Sequence, residues 1–189
     1  MIEFNKDISK QDHEKYWDRD ADFSFQDAYV NARQNVYNLL KTKVHGDIVE
    51  VGAGSCLLYP QIRDRIRSYT MVDFTYKFVD QSKQKYPEIR AYHARATELP
   101  FMDKQFDVSV AMALFRHMLP EDMVRAIREL VRVGRKTIIV WSITPQKQEP
   151  YVKKNEGFVD VIHNIDEVAE AIGKTYTWSK VDRFTVYDI

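Results

Sequence analysis

The chain has 189 residues, and its 28 Lys and Arg balance 28 Asp and Glu, so the formal net charge at pH 7 is zero. That argues against a binder of DNA or anionic membrane held by electrostatics, because such partners need a basic excess. Hydrophobic residues at 44%, aromatics at 13%, 6 Gly, 6 Pro and a single Cys make a globular composition, with no internal disulfide and no Cys-based zinc site.

The length fits one domain over residues 1–189, which buries roughly 70% of its extended surface. No apolar run approaches ~20 residues. The opening stretch MIEFNKDISKQDHEKYWDRD has neither a basic n-region nor an apolar h-region. A soluble cytoplasmic protein, monomer or homodimer, is the simplest expectation.

Along the chain, residues 1–24 carry no regular pattern, and HEKYWDRDADFSFQDAYVNAR mixes aromatics with alternating charge. This is a lid or substrate segment over a partly apolar pocket, or else Tyr16, Trp17, Phe23 and Phe25 simply pack it onto the domain. Ala28, Ala32, Val36, Leu39 and Leu40 fall at helical spacing. Apolar, β-branched runs predict strands over Asp47 to Val51, Tyr69 to Asp73, Ile89 to His93, Phe106 to Met112 and Thr137 to Ile143. Met123, Ile127, Leu130 and Val131 mark a helix between the last two. SITPQKQEPYVKKNEG reads as irregular, a short Lys- and Glu-containing loop, so a substrate cap must come mainly from the N-terminus or a second subunit. Asp166 is placed to cap a helix carrying Val168, Ala171 and Ile172, with Gly173 as its left-handed end. The tail TYTWSKVDRFTVYDI alternates like an antiparallel pair. Strands alternating with helices predict an α/β fold with a parallel sheet.

The run DIVEVGAGSC feeds a strand into a Gly-x-Gly turn before a helix. Glycines let the backbone turn and approach a ligand, and a helix N-terminus offers unpaired N–H groups. Leu57 stands where a dinucleotide fingerprint needs glycine or alanine, which argues against a pyrophosphate site. Asp73 ends the second strand about 20 residues beyond the loop, where a carboxylate reaches ribose hydroxyls. Singly, the glycines could be an ordinary turn and Asp73 a helix cap. Together they point to a ligand containing a nucleoside.

These segments resemble class I S-adenosylmethionine-dependent methyltransferases of the type 11 group, over roughly residues 29–140. EVGAGSC is similar to the family's acidic-x-Gly-x-Gly-x-Gly loop, with Glu50, Gly52, Ala53 and Gly54 in register and Cys56 where a third glycine is usual. VDFT resembles the family's second-strand end, implying Asp73 on the ribose and Phe74 against adenine. ATELPFMDKQFDVSVAMALFRHM resembles the segment with an LPF signature and a His shortly after the fourth strand, and brings Ala111 and Met112 to the cofactor. The resemblance implies a Rossmann-like, doubly wound sheet of seven mostly parallel strands, the last antiparallel, with helices on both faces. It also implies S-adenosylmethionine as cofactor, S-adenosylhomocysteine as its product, and Tyr16 or Arg33 at the methionine carboxylate. Arg95 replaces the acid that commonly meets the adenine amine, leaving the Ala96 N–H, and RVGRK replaces the usual Leu-Lys-Pro-Gly-Gly turn.

A sulfonium methyl is intrinsically activated, so placing the acceptor in line is the main task, worth ~7 to 11 kcal/mol. For a hydroxyl acceptor His117 is the candidate general base, its alternative being a residue that caps or packs beneath the loop. Arg116 could pair with a substrate carboxylate or phosphate, or be a surface arginine. Cys56 reads as a small buried loop residue rather than a nucleophile. His13, His45, His93, His117 and His163 lack metal-ligand spacing, so no metal is expected. Arg125, Arg128, Arg132 and Arg135 read as a solvated helix face rather than an RNA track. Methyl transfer to an oxygen or nitrogen of a small-molecule acceptor is the leading expectation. The alternatives are a non-catalytic nucleoside-binding module acting through a protein partner, an RNA or protein methyltransferase, and a nicotinamide-dependent oxidoreductase.

Overall fold

The computed structural model describes residue 17 and residues 30–142, 145–147, 151–155, 158–173 and 175–189. Tyr16, Ala28, Phe23 and Phe25, and the rest of the segment before residue 24 apart from Trp17, lie outside the described residues. In chain order the elements are α1 (Gln34–Lys43), β1 (Asp47–Val51), α2 (Tyr59–Ile62), β2 (Ser68–Asp73), α3 (Tyr76–Lys85), β3 (Arg90–His93) and β4 (Phe106–Met112). A 3-10 turn follows at Phe115–His117, then α4 (Pro120–Val133), β5 (Gly134–Trp141), β6 (Tyr151–Asn155), β7 (Phe158–Ile162), α5 (Ile165–Ile172), β8 (Thr177–Val181) and β9 (Phe184–Asp188).

Seven strands form one sheet in the order β3-β2-β1-β4-β5-β9-β8. β3, β2, β1, β4 and β5 are mutually parallel, and the last strand, β9, runs antiparallel to β5. The central strands are buried almost throughout, as parallel strands covered on both faces must be. One apolar layer joins Val36, Tyr37 and Leu40 of α1, Ile62 of α2 and Val79 of α3 to one sheet face. The other joins Met123, Ile127 and Leu130 of α4 and Val168, Ala171 and Ile172 of α5 to the opposite face. The doubly wound fold expected from the sequence is therefore present.

Three expectations need correction. β5 begins at Gly134 rather than Thr137, because α4 passes into it without a loop and Gly134 is already extended. A side chain there would meet Ser109 Oγ at 2.5 Å, so glycine permits the close approach of β4. Asp166 is not the cap of α5. The Asn164 side chain accepts the Asp166 N–H at 2.8 Å, and Asp166 sits in the first turn, where its charge suits the helix dipole. Gly173 does end α5 in the left-handed region, at φ 58°. Finally, the stretch after β5 is not merely irregular: β6 pairs antiparallel with β7 as a separate two-stranded ribbon, followed by α5.

Candidate functional site

The strand order reverses between β1 and β4, so the chain leaves their carboxyl ends in opposite directions and opens a crevice there. Two loops face each other across it. A side chain built on Gly52 would strike Leu114 Cδ1 at 2.6 Å, which shows how closely the β1 and β4 loops approach. Two of the four non-glycine residues with positive φ among the described residues lie in these loops, the others being Lys104 and Asp182. Cys56 and Ala113, one in each loop, are non-glycine residues held at φ 56° and φ 58°, a conformation costing ~1–2 kcal/mol each.

The glycine loop is tied to the end of β2. Gly52 and Ala53 N–H groups both donate to the Val72 carbonyl, at 2.8 and 3.2 Å. Gly54 N–H donates to Asp73 Oδ2 at 2.8 Å, and Thr75 N–H donates to Asp73 Oδ1 at 2.9 Å. Asp73 thus holds the loop and the β2–α3 turn together with both oxygens. Each oxygen retains a lone pair for a further donor. Burial pushes its carboxyl upward, opposed by the Thr75 and Gly54 N–H bonds. Gly54 has φ 52°, and a Cβ there would meet nothing within 4 Å, so the space above the loop beside Asp73 is open. The helix after the loop has only four residues, beginning at Tyr59, so it is the loop's own backbone that faces this space.

Glu50 lies beneath the loop and is almost completely buried. Its Oε2 accepts a short hydrogen bond from Tyr69 Oη. Burial pushes its carboxyl up to about 8, with the Tyr69 bond and the nearby Arg33 charge pulling the other way and Asp73 adding to the rise. Arg33, at the start of α1, is therefore brought to Glu50 as well as to Tyr37. The Cys56 thiol is buried and its ionisation pushed far upward, first by burial and then by Glu50. It is a packed residue and not a nucleophile, as its sequence context suggested.

Phe74 follows Asp73, half-buried, and its carbonyl accepts from His93 Nε2 at 2.7 Å. Ala96 lies beyond β3, packed with Ala94 against the α4 side of the core. The Ala111 methyl is wholly inside that same core, whereas Met112 at the crevice end of β4 packs on the opposite face. His117 sits in the 3-10 turn after β4, its ring centroid 5.0 Å from that of Trp17 in an edge-to-face arrangement. Among the described residues no group of His, Cys, Asp and Glu is arranged to hold a metal ion.

Two groups of residues escaped the sequence reading. Arg132 is not part of a solvated face. It donates to Glu129 at 2.6 and 2.7 Å, to the Leu99 and Phe101 carbonyls and to Asp103, while Leu99 N–H donates to Glu129. The LPF segment is thereby clamped to α4. His163 is fully buried, and its Nε2 donates to the Phe115 carbonyl at 2.7 Å. Nothing in the local sequence signalled either partner.

The family model for a methyltransferase domain matches residues 49–140, which span β1, the glycine loop, Asp73 and most of β5. The PH0226 protein from Pyrococcus horikoshii OT3 has a similar structure at 17% identity and TM-score 0.67, over 85% of this chain and 89% of that one. DhpI, solved as a complex with SAH, is similar at 13% identity and TM-score 0.73, over 94% of each chain, and DhpI was also solved with SAM. A third similar chain, at 15% identity and TM-score 0.68, comes from a complex containing the Haloferax volcanii Trm112 methyltransferase activator and covers 87% of this chain and 77% of that one. No curated protein matches the sequence. The open space over Gly54 and the lone pairs of Asp73 left by Gly54 and Thr75 suit a ligand that carries hydroxyl donors. The methyltransferase-domain match over residues 49–140 and the fold shared with chains solved with SAH and SAM support a class I S-adenosylmethionine-dependent methyltransferase that uses S-adenosylmethionine as its cofactor.

Proposed function

We propose that the enzyme methylates an oxygen or nitrogen of a small-molecule acceptor in the cytoplasm, with residues 1–189 acting as one domain. The observation that carries the site assignment is the buried Asp73 carboxylate beside the open space over Gly54, at the point where the strand order reverses. When bound, the cofactor supplies a methyl group already activated on a sulfonium.

Asp73 accepts from the ribose hydroxyls with the lone pairs left by Gly54 and Thr75. Phe74 flanks the adenine and Ala96 offers its N–H to it, while Arg95 takes no part. Gly52, Ala53 and Met112, with the Ala111 backbone rather than its buried methyl, form the wall of the crevice. Arg33 or Tyr16 meets the methionine carboxylate, Arg33 being the one the described residues bring near Glu50, and Glu50 faces the ammonium group. That cation would keep Glu50 ionised, against the pull of burial. His117 accepts the proton of a hydroxyl acceptor as the methyl arrives, and the Trp17 ring packs against it. Holding the acceptor in line is the larger contribution, ~7 to 11 kcal/mol.

Calorimetric titration with S-adenosylhomocysteine tests the assignment. Micromolar binding, about 8 kcal/mol, is expected for the native chain and is lost in Asp73→Ala. Failure of the native chain to bind, or equal binding by the variant, would overturn it. A screen of phenols, carboxylic acids and amines, read as homocysteine-product release, then addresses the acceptor.

A further inference from the structure

The mechanism above uses the front of the Phe115–His117 turn and leaves its back unexplained. That back is occupied by the fully buried His163, just after β7. His163 follows β7 directly, and its backbone carbonyl accepts the Gln146 N–H at 3.0 Å, so it is anchored to the strand-like segment leaving β5. Its ring Nε2 is 2.7 Å from the Phe115 carbonyl. Because a carbonyl only accepts, Nε2 must carry the proton, and the neutral ring leaves Nδ1 bare. Burial pushes the His163 imidazole below its ordinary range, with the Phe115 bond opposing, so this neutral tautomer is the resting form. Among the described residues Nδ1 has no hydrogen-bond partner, so the directed bond the ring makes there is the one to the turn.

Two further contacts close a triangle. The Trp141 ring, at the end of β5, lies 5.0 Å from the Phe115 ring and 5.6 Å from the His163 ring. Phe115 is thus held through its side chain by β5 and through its carbonyl by the residue after β7. His117 is two residues further along the same turn, and its N–H bonds back to Leu114 at 3.0 Å. A turn of three residues has little stiffness of its own, since a 3-10 segment this short has few internal bonds. Its geometry is imposed from behind.

We propose that His163 is a positioning residue: by clamping the Phe115 carbonyl it couples the β6–β7 ribbon to the turn that carries His117, and so sets where His117 stands on the acceptor side of the crevice. The role rests on the methyltransferase reading for its meaning, but its geometry can be tested without any acceptor. It also gives the β6–β7 ribbon a function. Where the sequence suggested a short Lys- and Glu-containing loop, the ribbon stands behind the turn that carries His117 and is joined to it through His163.

The test compares the native chain with His163→Ala and His163→Gln by imidazole nitrogen-proton correlation spectroscopy, alongside calorimetry with S-adenosylhomocysteine. The Gln amide keeps an N–H donor at the reach of Nε2, whereas Ala removes it. Native His163 should show protonated Nε2 and unprotonated Nδ1 at pH 7, and should keep that neutral form to lower pH than a free imidazole does. The His117 ring resonances should move in His163→Ala and return to their native positions in His163→Gln, with homocysteine-product affinity changed by less than threefold in both. Should His163→Ala fail to fold, native His117 shifts in the Gln variant together with the predicted His163 tautomer carry the support. Unmoved His117 resonances in a folded Ala variant would overturn the proposal, as would a native His163 protonated at Nδ1 or a folded Gln variant whose His117 stays displaced. Absence of homocysteine-product binding by the native chain would instead refute the cofactor assignment, so the two failures are told apart.

Discussion

Glu50→Gln tests whether the acid under the glycine loop is kept at a cost to the ligand-free fold. Glu50 is buried, it accepts from Tyr69, and burial lifts its carboxyl from an ordinary 4.5 to about 8. In the unfolded chain it ionises near its ordinary value. Between the two values the native state holds a proton that the unfolded state has lost, so this group's contribution is fully present below about 4.5 and declines as pH rises to about 8. The two and a half units between 4.5 and pH 7, at ~1.4 kcal/mol each, set the cost at ~3 kcal/mol at neutral pH. Glutamine still accepts the Tyr69 hydroxyl and has no charge to desolvate. Urea denaturation of both proteins at pH 5, 6, 7 and 8 is the assay, read as the difference between them so that other titrating groups cancel. The variant should be nearly equal to the native chain at pH 5 and more stable by ~3 kcal/mol at pH 7. Its affinity for S-adenosylhomocysteine should fall at least tenfold, because the ammonium end loses a carboxylate. Parallel stability profiles would refute the reasoning, since they would mean that Glu50 is already ionised and solvated in the native state.

Gly54→Val projects a side chain into the open space above the loop from a backbone at φ 52°; the fold should survive with a loss of ~1–2 kcal/mol, while calorimetry should show no binding of S-adenosylhomocysteine. Native affinity in that variant would place the cofactor elsewhere. Arg132→Ala removes the donors that hold Leu99, Phe101, Asp103 and Glu129. Allowing for its partial exposure, the loss should be ~2–3 kcal/mol by chemical denaturation, and Arg132→Lys should recover less than half, because one ammonium cannot reproduce the guanidinium fork.

How legible each part was follows the range of the interactions that fix it. β1 and β4 matched their expected bounds because each is a continuous apolar run, buried on both faces, whose signal lies wholly within the strand. α4 was legible for the same reason, since Met123, Ile127 and Leu130 fall on one stripe and that stripe is the buried one. The β6–β7 ribbon was missed because a two-stranded ribbon outside the main sheet needs no continuous apolar run, and YVKKN reads as polar loop until its partner FVDVI is paired with it. In the site, the glycine loop and Asp73 were readable because positive φ and a strand-end carboxylate leave local marks. The Arg132 clamp and the His163 bond to Phe115 join residues about 30 and 48 positions apart, and nothing in either local stretch announces the other.

Cys56 shows the limit of reading a motif by residue identity. It stands where the resembling loops have a third glycine, and glycine is favoured at such a place for its access to the left-handed region. The chain keeps that conformation, at φ 56°, with a side chain present. The strain of ~1–2 kcal/mol is offset by burying the thiol in the core cluster that also holds Tyr69 and the glycine loop's Ala53. The left-handed conformation that glycine would favour is held here by the Cys56 N–H bond to the Ala53 carbonyl and by the packing of the thiol below, so residue identity alone does not reveal it.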